Sequence, residues 1–393
     1  MKKQFRIALI MQGGRGWTGG IEYIKNIIFA MSSLSAETRK NIELCLIISK
    51  TADSDLIQSV KPHLNKIYYI EDVIPSNIVY RIGTRAVKLL LGIHDIRYDI
   101  FFKRQQFDFV YPYNLSTKFG FKNTAAWIPD FQHKFLPQYF SEQEIKARDA
   151  SFDMIARTAY KLVFSSHTAE NDFYTFFPSA KVNTHVLSFK TIAHENWFLP
   201  DPVDSQHKYN LPDKFFIVSN QLWQHKNHLT IFKAMKLLQD SGIKPVVVCT
   251  GHIYDYRKPE YSDSILHTIH TFGLSQQVFL LGLIPKADQI QLLRRSIALI
   301  QPSLFEGWSS VVEDARCLGK PTILSDISVH EEQNPPNCCF FERESPDALA
   351  QVMEQYWQSL RPGPDINLEV KARDRNSVDV QEFGNKFLQI ATA

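Results

Sequence analysis

Short apolar runs alternate with longer segments whose apolar positions recur at helical spacing along nearly the whole chain. In the first half the runs predict strands at Arg6–Met11, Ile42–Ile48, Lys66–Ile70, Phe109–Tyr111, Ala125–Ile128 and Leu162–Ser165. Helical periodicity fills the gaps, as at Ile21–Ser32 and Glu142–Tyr160. In the second half, strands are predicted at Phe215–Val218, Pro245–Cys249, Val278–Leu281, Ile297–Ile300 and Thr322–Leu324. Helices at Leu229–Gln239, Ser262–Phe272, Lys286–Arg294 and Ser310–Leu318 separate them. Strands joined through helices run parallel, so the pattern predicts a parallel α/β architecture. The proline-bearing stretch Lys190–Asp213 is expected to connect two domains, residues 1–195 and 205–375. A polar loop, Pro362–Asn376, is expected before a last helix at about Val378–Ala391, within residues 376–393.

One segment carries more chemistry than the rest: Pro302-Ser-Leu-Phe-Glu306-Gly-Trp-Ser-Ser-Val-Val-Glu313-Asp314-Ala-Arg-Cys-Leu-Gly319-Lys-Pro321. A buried-type strand leads into a loop with a carboxylate and a glycine. A helix starting at Ser309 or Ser310 follows and ends at Gly319-Lys-Pro321. A helix N-terminus favours an anion such as a diphosphate, through its unsatisfied N–H groups and its dipole. Carboxylates beside it accept hydrogen bonds from hydroxyl groups. Together they describe a sugar joined to a diphosphate. Glu313 has a structural reading, because Ser310-x-x-Glu313 fits a capping box. A second loop, Asn220-Gln-Leu-Trp-Gln-His-Lys226-Asn-His-Leu229, follows the first strand of the second half. It places a lysine next to a helix start, where it can act as a point charge on phosphate.

The first segment resembles the signature of family 4 retaining glycosyltransferases, in which a loop Glu is followed eight positions on by a second Glu. Glu306 matches the first position and Asp314 takes the second on a shorter stem. The resemblance implies the GT-B fold, two Rossmann-like domains facing each other across a cleft, with the last helix crossing back to the first domain. It implies that Glu306 and the backbone of Gly307, Trp308 and Ser309 orient the sugar, that Ser310 at the helix start takes part in donor binding, and that Asp314 binds the ribose. Relatives carry Gly-Arg ahead of the lysine that Lys226 matches. Here Asn220 and Gln221 stand there, so one expected cation is replaced by a neutral donor. Gly19-Gly20, with Tyr23 and Asn26, is similar to the family's Gly-Gly loop. Asp130 and His133, within Trp127-Ile-Pro-Asp130-Phe-Gln-His133, stand near the family's His-Asp pair and are candidates for placing the acceptor hydroxyl. The alternative is that His133 caps the loop and Asp130 opens a turn. Gly282 is expected to let backbone groups meet the base. The implied co-substrate is a GDP- or UDP-sugar, the acceptor a saccharide or lipid-linked saccharide, with no metal or other cofactor.

Other motifs compete. Gly14-x-Gly16-x-x-Gly19 matches the dinucleotide fingerprint of a nicotinamide-dependent oxidoreductase, but the second strand, whose end should carry the acidic residue about twenty positions on, ends near Ser49-Lys50, too far away and with a lysine there. Asp53-Ser54-Asp55 fits a metal-binding D-x-D, and also a helix cap. His225 and His228 lack the further ligands that a metal site needs. A sugar-nucleotide-binding protein without transferase activity remains the other reading, since Gln221 and Asp314 both depart from the pattern. At 393 residues, with 44% hydrophobic and 22% charged, the composition is that of a globular two-domain protein. A net charge of +3 gives no ground for nucleic-acid binding. No apolar run is long enough for a membrane span, and five cysteines without C-x-x-C spacing suit a reducing cytoplasm. The basic residues Arg81, Arg85, Lys88, Lys103 and Arg104 around Leu89–Ile93 leave peripheral contact with anionic lipid as an expectation to test.

Overall fold

The computed structural model describes residues 4–14, 18–74, 96–115, 121–255, 257–258 and 260–393. Arg15 to Trp17 of the glycine fingerprint, and Arg81, Arg85, Lys88 and Leu89–Ile93, lie outside the described residues. The chain divides into two compact units, Met1–Phe131, Gln143–Lys190 and Val378–Ala393 in the first, Gln132–Glu142 and Thr191–Ser377 in the second.

The first unit contains strands β1 (Phe5–Ile10), β2 (Ile42–Ile48), β3 (Lys66–Tyr69), β4 (Phe109–Tyr111), β5 (Ala125–Ile128), β6 (Lys161–Phe164) and β7 (Asn183–Val186). They form parallel sheets in the orders β3-β2-β1-β4 and β5-β6-β7, which a bridge from Val110 to Thr124 joins. Central strands read as unbroken apolar runs because both faces are covered: Ile7, Ala8 and Leu9 of β1 are all fully buried. The strand β7, Asn-Thr-His-Val, lies at the sheet edge and is mostly partly exposed, so no apolar run marks it in the sequence. Asp53 accepts hydrogen bonds from the Asp55 and Leu56 N–H groups and caps its helix.

The second unit is one parallel sheet of β8 (Phe216–Ser219), β9 (Val247–Thr250), β10 (Val278–Gly282), β11 (Leu299–Gln301), β12 (Thr322–Ser325) and β13 (Cys338–Phe341). Its order is β10-β9-β8-β11-β12-β13. The chain lays β9 and β10 outward from β8, then returns to start β11 on the other side of β8. The strand order therefore reverses between β8 and β11. In open α/β sheets ligands bind outside the C-terminal strand ends at such a reversal, because the two loops leave in opposite directions and open a crevice.

One expectation is corrected. The supposed loop Pro362–Asn376 is largely helical, since one helix spans Ile366–Thr392. Its opening turns carry polar residues used for specific pairings, which breaks the apolar period. Asp365 caps the Leu368 N–H at 3.1 Å. Glu369 holds the Arg294 guanidinium through two hydrogen bonds at 2.7 and 3.1 Å, and Arg373 pairs with Glu195. The stretch Lys190–Asp213 contains a helix, Pro202–Lys208, capped by Asp201 with proline in its first turn. Among the described residues no helix is long and apolar enough to cross a membrane.

Candidate active site

The loops after β8 and β11 leave the strand reversal side by side and are pinned to each other. Asn220 Nδ2 donates to Gln301 Oε1 at 2.7 Å, and Leu304 N–H to the His225 carbonyl at 2.8 Å. Asn227 sits in the left-handed region (φ 58°) and donates from Nδ2 to the Pro302 carbonyl at 3.2 Å. The loop after β9 joins them: Leu222 N–H donates to the His252 carbonyl and Gly251 N–H to the Gly282 carbonyl. At Gly251 φ is +122°, and an added Cβ would lie 2.3 Å from the Asn220 oxygen, so only glycine fits. Gly282 also has a positive φ, 68°, ending β10 in a turn.

This scaffold brings Lys226 and Glu306 together, eighty residues apart in sequence, with Nζ 2.6 Å from Oε1. The same oxygen accepts from Gln301 Nε2 at 2.8 Å and Ser303 Oγ at 2.7 Å. Three donors thus converge on Oε1, while among the described residues no hydrogen bond ends on Oε2. Burial pushes the Glu306 carboxyl upward, but Lys226, helped by His330 and the Ser303 hydroxyl, outweighs it and holds the pKa below the ordinary carboxyl value. An ionised carboxylate with one saturated oxygen and one open oxygen is an oriented acceptor for a ligand hydroxyl. The Gln221 side chain makes no hydrogen bond among the described residues, so it adds no charge and is not tied elsewhere.

Asp314 lies in the helix Ser310–Cys317, buried at 2% exposure. Its Oδ1 accepts from Thr191 Oγ1 at 3.1 Å and its Oδ2 is ion-paired with Lys286. Among the described residues no hydrogen bond or ion pair joins Asp314 to Lys226 or Glu306. The capping-box reading of Glu313 is overturned. Ser310 falls inside the helix, Ser309 takes the N-cap position, and neither hydroxyl caps. Gln333 does this work from the next helix, accepting from Ser309 N–H at 3.1 Å and donating to the Ser309 carbonyl at 3.0 Å. Glu313 is buried, paired with Arg316 at 3.3 Å and hydrogen-bonded by Gln333. Gly307 and Trp308 form the end of the loop. Gly319, at φ +62°, stops the helix where an added Cβ would lie 2.6 Å from the Leu368 carbonyl oxygen.

Gly19 and Gly20 open the helix Thr18–Ser33 of the first unit. Asp130 follows β5 in that unit, near Asp172, whose carboxyl is pushed up to about 6 by burial and by Asp130. His133 is buried in the short helix Gln132–Phe135, which groups with the second unit. Phe135 of that helix stacks on Phe305, centroids 5.6 Å apart, next to Glu306. Sequence reading missed Asp172, Lys286, Gln333 and His330. It also missed Arg257, whose guanidinium lies 4.4 Å above the Trp223 ring with Nη2 3.3 Å from His225 Nδ1. His225 and His228 are neutral: burial, then Lys226, lowers both, and His228 reaches about 3.

Residues 202–359 match the model of the family described as glycosyl transferases group 1. No curated protein sequence matches the chain. Among solved structures, HepE from Anabaena in complex with UDP and glucose is similar at 14% identity and a TM-score of 0.64, covering 98% of this chain and 99% of HepE. Sucrose-phosphate synthase from Thermosynechococcus elongatus is similar at 17% identity and 0.65, covering 99% and 97%. WaaG, a glycosyltransferase involved in lipopolysaccharide biosynthesis, is similar at 11% identity and 0.59, covering 96% and 95%.

Proposed function

From a chain of the GT-B fold whose residues 202–359 match the glycosyl transferases group 1 family model, we propose a retaining glycosyltransferase. It moves a hexose from a nucleotide-sugar to a hydroxyl of a saccharide or lipid-linked saccharide, in polysaccharide or glycoconjugate biosynthesis. The observation that supports this best is the convergence of Lys226, Gln301 and Ser303 on one oxygen of Glu306 at the strand reversal.

In this reading Glu306 Oε2 accepts from a sugar hydroxyl, with Gly307 and Trp308 beside it. Lys226 and the first-turn N–H groups of the helix Ser310–Cys317 meet the charge that grows on the departing diphosphate, an electrostatic role. Asp314, with Lys286 sharing its charge, serves the ribose. The C1–phosphate bond breaks, the acceptor oxygen bonds to C1 on the same face, and its proton passes to the leaving phosphate. No protein base and no metal cofactor enters. Asp130 and His133 are our candidates for orienting a hydroxyl, and Gly19-Gly20 for approach of backbone to the donor. HepE is solved with UDP and glucose, which makes UDP-glucose the first donor to try and GDP-mannose the second. Thiols outside any disulfide fit the cytoplasm as the site of reaction.

The test is nucleotide release from UDP-glucose, UDP-N-acetylglucosamine and GDP-mannose with and without saccharide acceptors, with the product anomer read by NMR. Acceptor-stimulated release and an anomer matching the donor's are expected. An inverted product would remove the retaining assignment. Tight donor binding with no release under any acceptor would favour the non-transferring reading, to which Gln221 lends itself.

A further inference from the structure

A buried chain of polar groups runs back from the Glu306 carboxylate. Ser303 Oγ donates to Glu306 Oε1 at 2.7 Å. The Ser303 carbonyl accepts from Ser325 Oγ, at the end of β12, at 2.6 Å. His330 Nδ1 lies 3.1 Å from that hydroxyl oxygen and 3.0 Å from the Ser325 carbonyl oxygen. Ser303, Ser325 and His330 are all 0% exposed. A carbonyl only accepts, and Ser325 spends its single hydroxyl proton on Ser303, so the proton between Ser325 and His330 sits on Nδ1. The ring is then the neutral Nδ1–H tautomer, and its Nε2 is a buried lone pair with no hydrogen-bond partner among the described residues.

That lone pair costs stability, since a buried acceptor has given up water for nothing. An aliphatic side chain in the same space would carry no such cost. What a histidine supplies here, and leucine cannot, is the Nδ1–H that fixes Ser325. We infer that His330 is a positioning residue for the transfer. It anchors Ser325, Ser325 holds the main chain of Ser303, and the Ser303 hydroxyl stays on Oε1 so that Glu306 keeps its other oxygen turned to the sugar. This rests on the assignment of Glu306 to the donor. The relay joins three separate elements, the loop after β11, the end of β12 and the helix Ser328–Gln333.

The experiment compares His330→Asn with His330→Leu. Asparagine can place its amide N–H where Nδ1–H stands, whereas leucine cannot donate, and both lose the packing of the ring. With UDP-glucose as donor, H330L is expected to lose roughly tenfold in kcat with little change in donor KM, as a displaced catalytic group does. H330N should stay within about threefold of wild type, under 1 kcal/mol in barrier, even though its melting temperature falls too. Equal losses in the two variants, or full kcat in H330L, would overturn the relay. Glu306→Gln is measured alongside. If it turns over normally, the assignment of Glu306 fails instead. NMR of isotope-labelled histidine decides the relay without turnover: a ring at position 330 protonated on Nε2 refutes it whatever the substrate.

Discussion

Glu306→Gln separates the catalytic value of this carboxylate from its structural value. In the wild type, Oε1 accepts from Lys226, Gln301 and Ser303. An amide oxygen in the same place can accept from all three, so the substitution removes charge and keeps geometry. The lysine bond loses its charge assistance, a cost of about 1–3 kcal/mol in stability. On the ligand side the change is larger, because an NH2 replaces the open oxygen and turns an acceptor into a donor. Loss of one preorganised interaction at developing charge is worth about 3–4 kcal/mol, which is roughly 10²- to 10³-fold in kcat. Lys226→Met does the reverse. It strands a buried carboxylate and should cost about 3–5 kcal/mol in stability, and the double variant should cost less than the sum. Nucleotide release from UDP-glucose gives kcat, and urea denaturation gives stability. The carboxyl is held below its ordinary 4.5, so it contributes stability above that pH and loses it as pH falls further. The stability gap between wild type and E306Q should therefore close on acidification below about pH 4.5. An E306Q enzyme within about threefold of wild-type kcat, a barrier change under 1 kcal/mol, would refute the assignment.

Gly251→Ala should destabilise the second unit by on the order of 2–4 kcal/mol, through the positive φ and the Cβ overlap with Asn220; urea melts check this, and an unchanged midpoint would refute the close approach. Lys320 is buried with Nζ donating to the Arg294, Ser296 and Gly363 carbonyls at 2.8, 2.5 and 3.3 Å, and burial lowers it to about 7. Its charge is penalised in the fold, fully below about 7 and less as pH rises toward 10.5. Lys320→Met should flatten that rise and, by orphaning three carbonyls, cost about 2–4 kcal/mol at neutral pH. Burial, chiefly, lowers His228 to about 3 and His330 to about 4, from 6.5. The unfolded chain takes up protons first, so each should withdraw about 2 kcal/mol of stability as pH drops from 7 to 5. His228→Leu should remove one such contribution, seen as a shallower pH dependence of the urea midpoint.

The parts legible in the sequence are those where one element carries its own signal. Central strands such as Ile42–Ile48 announce themselves by being apolar on both faces. Glu306 and Lys226 stand out because each sits in a loop between an apolar strand and a helix. Their approach to 2.6 Å was not legible, because it depends on the order in which strands are laid down: β8 and β11 are neighbours only because the chain returns past β8. Gln301 and Ser303 are local to Glu306, but the groups behind them are not. Gln333 replaces a local cap that the Ser310–Glu313 spacing promised, and it comes from a different helix. Ser325, at the end of β12, reaches Ser303, and His330, in the helix that follows, reaches Ser325. A local motif thus names the groups that face a ligand, whereas the groups that aim them come from wherever the topology brings a donor within 3 Å. This also explains why the polar start of the helix Ile366–Thr392 reads as a loop in the sequence: Glu369, Arg373 and Asn376 are spent on partners more than sixty residues away in most cases, and such partners leave no periodic trace. The departure at Gln221 follows the same logic. Whether a missing cation matters depends on the charges that the fold gathers around Lys226, and those are a property of the strand reversal and not of the loop sequence.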